Sequence, residues 1–545
     1  MHRRGLHRCR LGAEAPSDDD EPGDPYGLCD VVDFRSPPAL TGSQIPGALG
    51  LRMAKGAAWM IALRFALRAI GLVSMIVLAR LLVPADFGLV AMATALAGAL
   101  AAMSEFGFQI ALIQNQAADR RHYDTAWTLG LVRGVIVAGA LVACAGPLAA
   151  MLSDQRLEPI LWLLALGVVV TSFENIAVVD FRKDLQFHRE FAYRAIAKMA
   201  SFAITVPLAL IVRNYWALVV GIVAGQVAGV LLSYVMCTYR PRLSISAWRE
   251  LVHFSKWLLF NSILSFVYQR TDTFVIGRFA GAGPLGLYSV AHEVASLPTT
   301  EMVAPVRAAL LPGYSKLASD RERLRAGFAT TFGLIVMTAL PIAVAIGLLA
   351  DPLVRIAFGE QWLAAIPVLE VLAVYGAINV CVANAWPVFI ALGRPWITTA
   401  LTALGVVLLV PLLLWSVQDA GIIGAAWSLV AVAALVLACT LSAAARLLSL
   451  SLVHLLSRVW RSFVAAAFMS IAVVFLEGQR AQLTILSDHA LHLLVGLLSG
   501  SFIYLTTLYL LWFWTGSTDD PEPEAMRLLR GLLPTRAITI SPRGI

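Results

Sequence analysis

The chain has 545 residues, of which 59% are hydrophobic and only 14% charged, and its mean hydropathy is +0.78. Soluble domains carry about 25% charged residues, so there is too little polar surface to keep such a chain in water. The formal charge of +7 does not indicate nucleic acid, because the Lys and Arg are scattered through short loops between apolar runs.

Residues 1–52 differ in kind. Asp18 to Glu21 are acidic, Pro and Gly are frequent, and there is no apolar core of the ~7–15 residues that a signal peptide requires. The expectation is a disordered extension, or an untranslated one if Met53 is the start. Apolar runs long enough to cross a ~30 Å hydrocarbon core follow. They are expected near 57–80, 88–113, 125–150, 159–179, 191–212, 215–238, 256–278, 284–311, 328–350, 363–391, 396–417, 421–445, 463–477 and 490–514. Pro84, Pro241, Pro284, Pro352 and Pro521 fall at or outside run ends, where a missing N–H costs least. Pro305, Pro341, Pro367, Pro387 and Pro411 fall within runs or near their ends, where kinks are expected.

The loops alternate in charge. Arg120 and Arg121, then Arg182, Lys183 and Arg189, then Arg240, Arg242 and Arg249, then Lys316, Arg321, Arg323 and Arg325, then Arg446, Arg458 and Arg461 follow even-numbered spans. The opposite loops hold roughly one each: Arg80, Arg156, Arg213, Arg278, Arg355 and Arg480. Cytoplasmic loops retain positive charge, so both termini are expected in the cytoplasm of a bacterial inner-membrane protein. The opposite loops are all short, which leaves no room for a soluble active site.

A shift of 198 residues superposes Trp59 on Trp257, Val77 on Val275, Arg80 on Arg278, Gly88 on Gly286, Leu89 on Leu287 and Ala93 on Ala291. The shift covers six helices, an even number, so the copies share orientation: a parallel repeat of two lobes with cargo held between them. The expected fold is an all-α polytopic membrane protein of about fourteen helices. Residues 53–245 form the N-lobe, 246–447 the C-lobe, 448–515 two extra helices and 516–545 a cytoplasmic tail.

Several polar groups lie inside apolar runs. Arg64 and Arg68 share one face of the first span, and Arg68 lies about 17 Å in, near the midplane. A guanidinium there costs at least ~2.5 kcal/mol facing lipid, so it should face a wet cavity or an acid; Arg64 is shallow enough to snorkel. The seventh span carries a stripe of Asn261, Ser265, Gln269 and Asp272, expected to line a cavity, with Arg270 on the opposite side of the helix from Asp272. Further buried candidates are Glu105, Arg133, Glu174, Asn175, His292, Glu293, Glu301, Arg307, Glu370, Asn379 and Asn384, each open to a role in helix–helix pairing or in binding. Burial disfavours a charged carboxylate, so Glu105, Glu174 and Asp272 are candidates to carry a coupling proton.

Cys144, Cys237, Cys381 and Cys439 lie in apolar runs without metal or disulfide spacing and read as small hydrophobes. No Gly-x-x-x-x-Gly-Lys loop, His-Glu-x-x-His or Gly-x-Ser-x-Gly occurs. The expectation is no catalytic residue, no metal and no cofactor: not an enzyme.

The stretch Arg80-Leu-Leu-Val-Pro-Ala-Asp-Phe-Gly-Leu-Val-Ala-Met-Ala93 resembles the first hairpin of polysaccharide and lipopolysaccharide flippases of the colanic-acid (Wzx-type) family, in the multidrug/oligosaccharidyl-lipid/polysaccharide exporter superfamily. Similar segments follow in order. They are Glu105-Phe-Gly-Phe-Gln-Ile-Ala-Leu-Ile-Gln114, Phe181-Arg-Lys-Asp-Leu-Gln-Phe187, Asp272 with Val275-Ile-Gly-Arg-Phe279 and Leu285-Gly-Leu-Tyr-Ser289, Pro305 to Ser315, and Phe358-Gly-Glu-Gln-Trp362. The resemblance implies two six-helix lobes around a V-shaped cavity that turn over an undecaprenyl-diphosphate-linked oligosaccharide for exopolysaccharide or O-antigen assembly. A polysaccharide polymerase and export machinery would be partners. Arg64, Arg68 and Arg270, with Asn261 and Gln269, are the expected cargo contacts, because a diphosphate attracts guanidinium forks. Two other readings stand beside it: a drug or cation exporter of the same superfamily, and a membrane glycosyltransferase or polymerase acting on lipid-linked sugars.

Overall fold

The computed structural model describes residues 65–104, 108–109, 112, 118–184, 186–248, 256–479 and 489–515, all within the unit Arg52–Ile545. Among these residues there is no strand. This is what a hydrocarbon solvent requires: with no water to satisfy N–H and C=O groups, each apolar segment must close its own hydrogen bonds.

The described part of α1 covers residues 65–81. It is followed by α2 (Pro84–Met103), α3 (Arg120–Met151), α4 (Leu157–Ser172), α5 (Phe187–Val212) and α6 (Trp216–Met236). Next come α7 (Lys256–Phe279), α8 (Ala282–Ala295), α9 (Ala304–Leu317), α10 (Arg321–Leu348), α11 (Ala350–Ala357) and α12 (Ile366–Val382). The chain then forms α13 (Ala385–Ala391), α14 (Trp396–Leu448), α15 (Leu452–Ser457), α16 (Trp460–Gln479) and α17 (His489–Thr515). Among the described residues eight helices are long and apolar enough to cross a membrane, or nine if a bent pair counts as one span. The chain is a multi-pass membrane protein.

The departures from straight helices have local causes. α4 continues through a 75° bend into a 3-10 turn, Ile176–Val179, where the Asn175 side chain accepts from the Ala177 N–H. α8 is joined to α9 by a π turn, Pro298–Val303, interrupting the run expected at 284–311. α14 has 53 residues, about 80 Å if straight, and is folded back at Gly421, whose φ of +59° suits a residue without Cβ. There the helices close so tightly that a Cβ on Gly424 would lie 2.3 Å from the Ser416 carbonyl oxygen, while the Ser416 and Ser428 hydroxyls bond at 2.7 Å. Of the prolines expected to kink, Pro341 sits inside α10 and Pro411 inside the arm of α14 before its break at Gly421, and Pro305 and Pro367 open α9 and α12 in the first turn, where no donor is needed.

The helices α2 and α8, distant in sequence, cross backbone to backbone. A Cβ on Gly88 would lie 1.8 Å from the Ala282 carbonyl oxygen, and one on Gly286 would lie 1.8 Å from the Pro84 carbonyl oxygen. Each contact is the other shifted by 198 residues. One core of buried residues runs from Leu89 and Leu161 through Tyr288 and Trp362 to Leu413. A second, around Phe328, Phe389 and Met469, seats α16 and α17 against α10, with the Tyr504 hydroxyl donating to the Met337 carbonyl at 2.8 Å.

Candidate functional site

Arg68, in the first turn of the described part of α1, projects onto two carboxylates more than 220 residues away. Its Nη1 lies 2.6 Å from Glu293 Oε1 on α8, and its Nε lies 3.3 Å from Glu301 Oε1 in the π turn. Eight α-helical positions would leave Glu293 and Glu301 about 80° apart. The wider π turn takes up part of that rotation and brings both acids to one guanidinium. The Arg68 and Glu301 side chains are 21% and 18% exposed and Glu293 is 49% exposed, so the cluster opens on the Glu293 side. Arg68 Nη2 is buried with no hydrogen-bond partner, leaving a charged donor for a further acceptor. Among the described residues Arg68 meets two carboxylates, so the expected facing of Arg68 toward a cavity or an acid resolves as an acid.

The other expected site residues separate. Arg64 and Glu105 lie outside the described residues, as does the side chain of Asn261, whose backbone belongs to α7. Gln269 and Arg270 are exposed on α7, whereas Asp272 is buried, its oxygens accepting from the Tyr288 hydroxyl at 2.9 Å and the Thr273 N–H at 2.6 Å. The His292 ring lies between Tyr288 and Tyr375, so Asp272 belongs to a polar cluster joining α7, α8 and α12. Asn384 is fully buried at the break between α12 and α13, accepting from Tyr314 at 2.8 Å and donating to the Phe328 carbonyl at 3.1 Å. Arg307 stacks over Trp386 at 5.2 Å, and Asn379 donates to the Tyr375 carbonyl at 3.0 Å. Glu174 accepts from the Tyr193 hydroxyl at 2.6 Å, beside α3 and α5 and apart from Arg68.

Sequence reasoning gave no role to a latch at the opposite end of α1. Trp362 Nε1 and Gln361 Nε2 donate to the Ala79 carbonyl at 2.7 and 2.5 Å, and Gln361 also donates to the Leu82 carbonyl at 3.0 Å. Arg80 donates in return to the Ala357 carbonyl at 3.2 Å and to that of Ile356. Phe87 meets the Trp362 ring edge-on at 5.2 Å. These groups close α1 against the α11–α12 connection on the side where the loops are poor in Lys and Arg. The signal was present as Phe358-Gly-Glu-Gln-Trp362, a polar pair beside a Trp at the mouth of an apolar helix.

Two cavities flank these features. One, of about 780 Å³, is almost wholly apolar and lies between α10 and α17, lined by residues such as Leu334, Ile342, Leu497 and Leu505. The other, of about 310 Å³, is polar and lies between α3, α4 and α5.

A family model described as "Polysaccharide biosynthesis protein" matches residues 77–367. The chain is 26% identical over 377 residues to the lipopolysaccharide biosynthesis protein WzxC of Escherichia coli K12, covering 68% of this chain and 76% of the relative. It is also 26% identical over 299 residues to the succinoglycan biosynthesis transport protein ExoT of Rhizobium meliloti, covering 54% and 60%. Among solved structures, the lipid II flippase MurJ in an inward closed conformation matches with a TM-score of 0.68 at 12% identity, over 84% of this chain and 100% of that one. An inward-facing multidrug resistance transporter of the MATE family matches with a TM-score of 0.56 at 16% identity, over 71% and 98%. With a family match over more than half its length, the chain belongs to the polysaccharide biosynthesis protein family, and its helical fold is like those of the MurJ and MATE structures.

Proposed function

We propose that the chain is a flippase that turns over an undecaprenyl-diphosphate-linked oligosaccharide from the cytoplasmic to the periplasmic leaflet of the bacterial inner membrane, supplying exopolysaccharide or O-antigen assembly. It works by alternating access of two like-oriented six-helix halves, 53–245 and 246–447, with two further helices at 448–515 and both termini cytoplasmic. The reciprocal contact of Gly88 and Gly286, related by the 198-residue shift, supports paired halves that meet about an axis along the membrane normal. The single observation that carries the cargo assignment is Arg68, held across the two halves with Nη2 uncommitted.

A diphosphate offers several charged acceptor oxygens to a guanidinium fork and competes with Glu293 and Glu301 for it. The apolar cavity beside α10 and α17 suits the polyprenyl chain. The latch at Trp362 belongs to the periplasmic side, and its closure corresponds to a state open only toward the cytoplasm. Exposed Arg270 and Gln269 on α7 remain candidates for cargo contact, and Asp272 and Glu174 for proton coupling; a polymerase and export machinery would take the product.

Arg68→Ala should abolish polymer export with little change in membrane abundance, and the lipid-linked oligosaccharide should accumulate on the cytoplasmic leaflet. Normal export would remove Arg68 from the cargo site. The carboxylates of Glu293 and Glu301 beside Arg68 favour a second reading, export of an organic cation. In that case Arg68→Ala would raise resistance to cationic compounds and leave polymer export untouched.

A further inference from the structure

The polar cavity of about 310 Å³ between α3, α4 and α5 is built from groups that neither Arg68 nor the latch touches. Glu190 on α5 is 2% exposed and braces two arginines: Arg182 Nε lies 2.7 Å and Arg194 Nε 2.9 Å from its Oε1. Each guanidinium is thus oriented through Nε while its terminal Nη donors stay uncommitted among the described residues. Opposite them Glu174 commits one oxygen to the Tyr193 hydroxyl, leaving the other to accept. The room comes from glycine. A Cβ on Gly134 would strike Ser172 Oγ at 1.6 Å, closing α3 on α4, but one turn away a Cβ on Gly130 would meet no atom within 4 Å. The cavity lies beside the short helical turn Asp180–Lys183, whose Arg182 and Lys183 belong to the Lys- and Arg-rich set of connections.

We propose that this cavity is a second binding site, which takes a sugar bearing a carboxylate at the cytoplasmic face and so selects acidic saccharide cargo. Oriented guanidinium forks match a carboxylate bidentately, and a free carboxylate oxygen beside them accepts from sugar hydroxyls. The combination of charged donors and an acceptor in one cavity fits a polyhydroxy acid better than a bare anion. As the saccharide portion of the cargo, this ligand rests on the flippase reading.

The test uses the full-length protein in phosphatidylcholine nanodiscs, with Gly130→Cys as a reporter thiol and the native chain setting the background. Glucuronate should slow maleimide labelling of that thiol about tenfold or more, the equivalent of one charge-assisted contact. Glucose at the same concentration should not, and Arg182→Gln with Arg194→Gln should abolish protection. Equal protection by inorganic phosphate would make this a generic anion site and overturn the proposal. Protection by phosphatidylglycerol nanodiscs without sugar would make it a lipid site, and absence of any protection would also overturn it. In cells, Gly130→Phe should block export at unchanged membrane abundance, and normal export would show that cargo does not use the cavity. Labelling reads the cavity whether or not the chain moves lipid-linked sugar, whereas the leaflet on which the intermediate accumulates in Arg68→Ala reads the flippase assignment.

Discussion

Gly88→Ala adds one methyl group at the α2–α8 crossing, and that group would lie 1.8 Å from the Ala282 carbonyl oxygen and 2.7 Å from the Gly286 nitrogen. A carbon and a carbonyl oxygen approach no closer than about 3.3 Å, so the two helices must separate by ~1.5 Å. The obstacle is backbone, which has no rotamer to turn away, so the cost falls toward the upper end of overpacking, ~3 kcal/mol. The gain in helix propensity from Gly to Ala returns up to ~1 kcal/mol, leaving a net loss of ~2 kcal/mol. Gly286→Ala should cost the same, because its methyl would meet the Pro84 carbonyl oxygen at the same 1.8 Å. The double variant should cost distinctly less than twice a single one, since one separation of the helices relieves both clashes. The measurement is apparent thermal unfolding of the purified full-length protein in detergent. Gly139→Ala serves as control, because its methyl would meet nothing within 4 Å. Single variants as stable as the control, or strictly additive losses, would refute the reciprocal crossing.

Replacing Trp362 by Phe and Gln361 by Ala removes three donor contacts from the latch. At ~1 kcal/mol each this shifts the closed-to-open balance about a hundredfold, read as faster labelling of Ala79→Cys by an impermeant maleimide; unchanged labelling would mean that other contacts hold this side shut. Glu293→Gln with Glu301→Gln should raise affinity for farnesyl diphosphate about ten- to hundredfold in titrations of purified protein by releasing Arg68, and no change in affinity would show that the acids do not compete with the ligand.

The helices were legible because the bilayer gives a segment little choice: an apolar run must be a helix of sufficient length. The break in α14 was legible as the gap between the apolar runs 396–417 and 421–445, whereas breaks made by packing were not. The π turn at Pro298–Val303 leaves no signature beyond Pro298, and the 75° bend after Ser172 depends on the Asn175 N–H donating to the Ser233 hydroxyl in α6 and the Asn175 side chain donating to the Tyr239 carbonyl beyond it. Arg68 was legible as a group that lipid would not tolerate, and Glu293 and Glu301 were legible as candidates, yet nothing in the sequence joins residues 225 positions apart. Likewise Gly88 and Gly286 stood out as equivalent positions, but equivalence alone does not say that they touch. Glu190 and Arg194 escaped notice because each reads as an ordinary interfacial charge until the fold closes them around a cavity.

The acids around Arg68 bear on selectivity as much as on stability. A bare guanidinium near the midplane would be costly and would attract any phosphate, including the singly charged phosphodiesters of bulk lipid. Under the flippase reading, Glu293 and Glu301 neutralise it in the empty state and set a threshold: an incoming anion would have to offer more charge-assisted bonds than the two acids together supply. A phosphodiester with one charge falls short of that threshold, whereas a diphosphate exceeds it and can also engage the uncommitted Nη2. Under the flippase reading, cargo loading would therefore loosen the contacts by which this one guanidinium ties α1 to α8 and to the π turn.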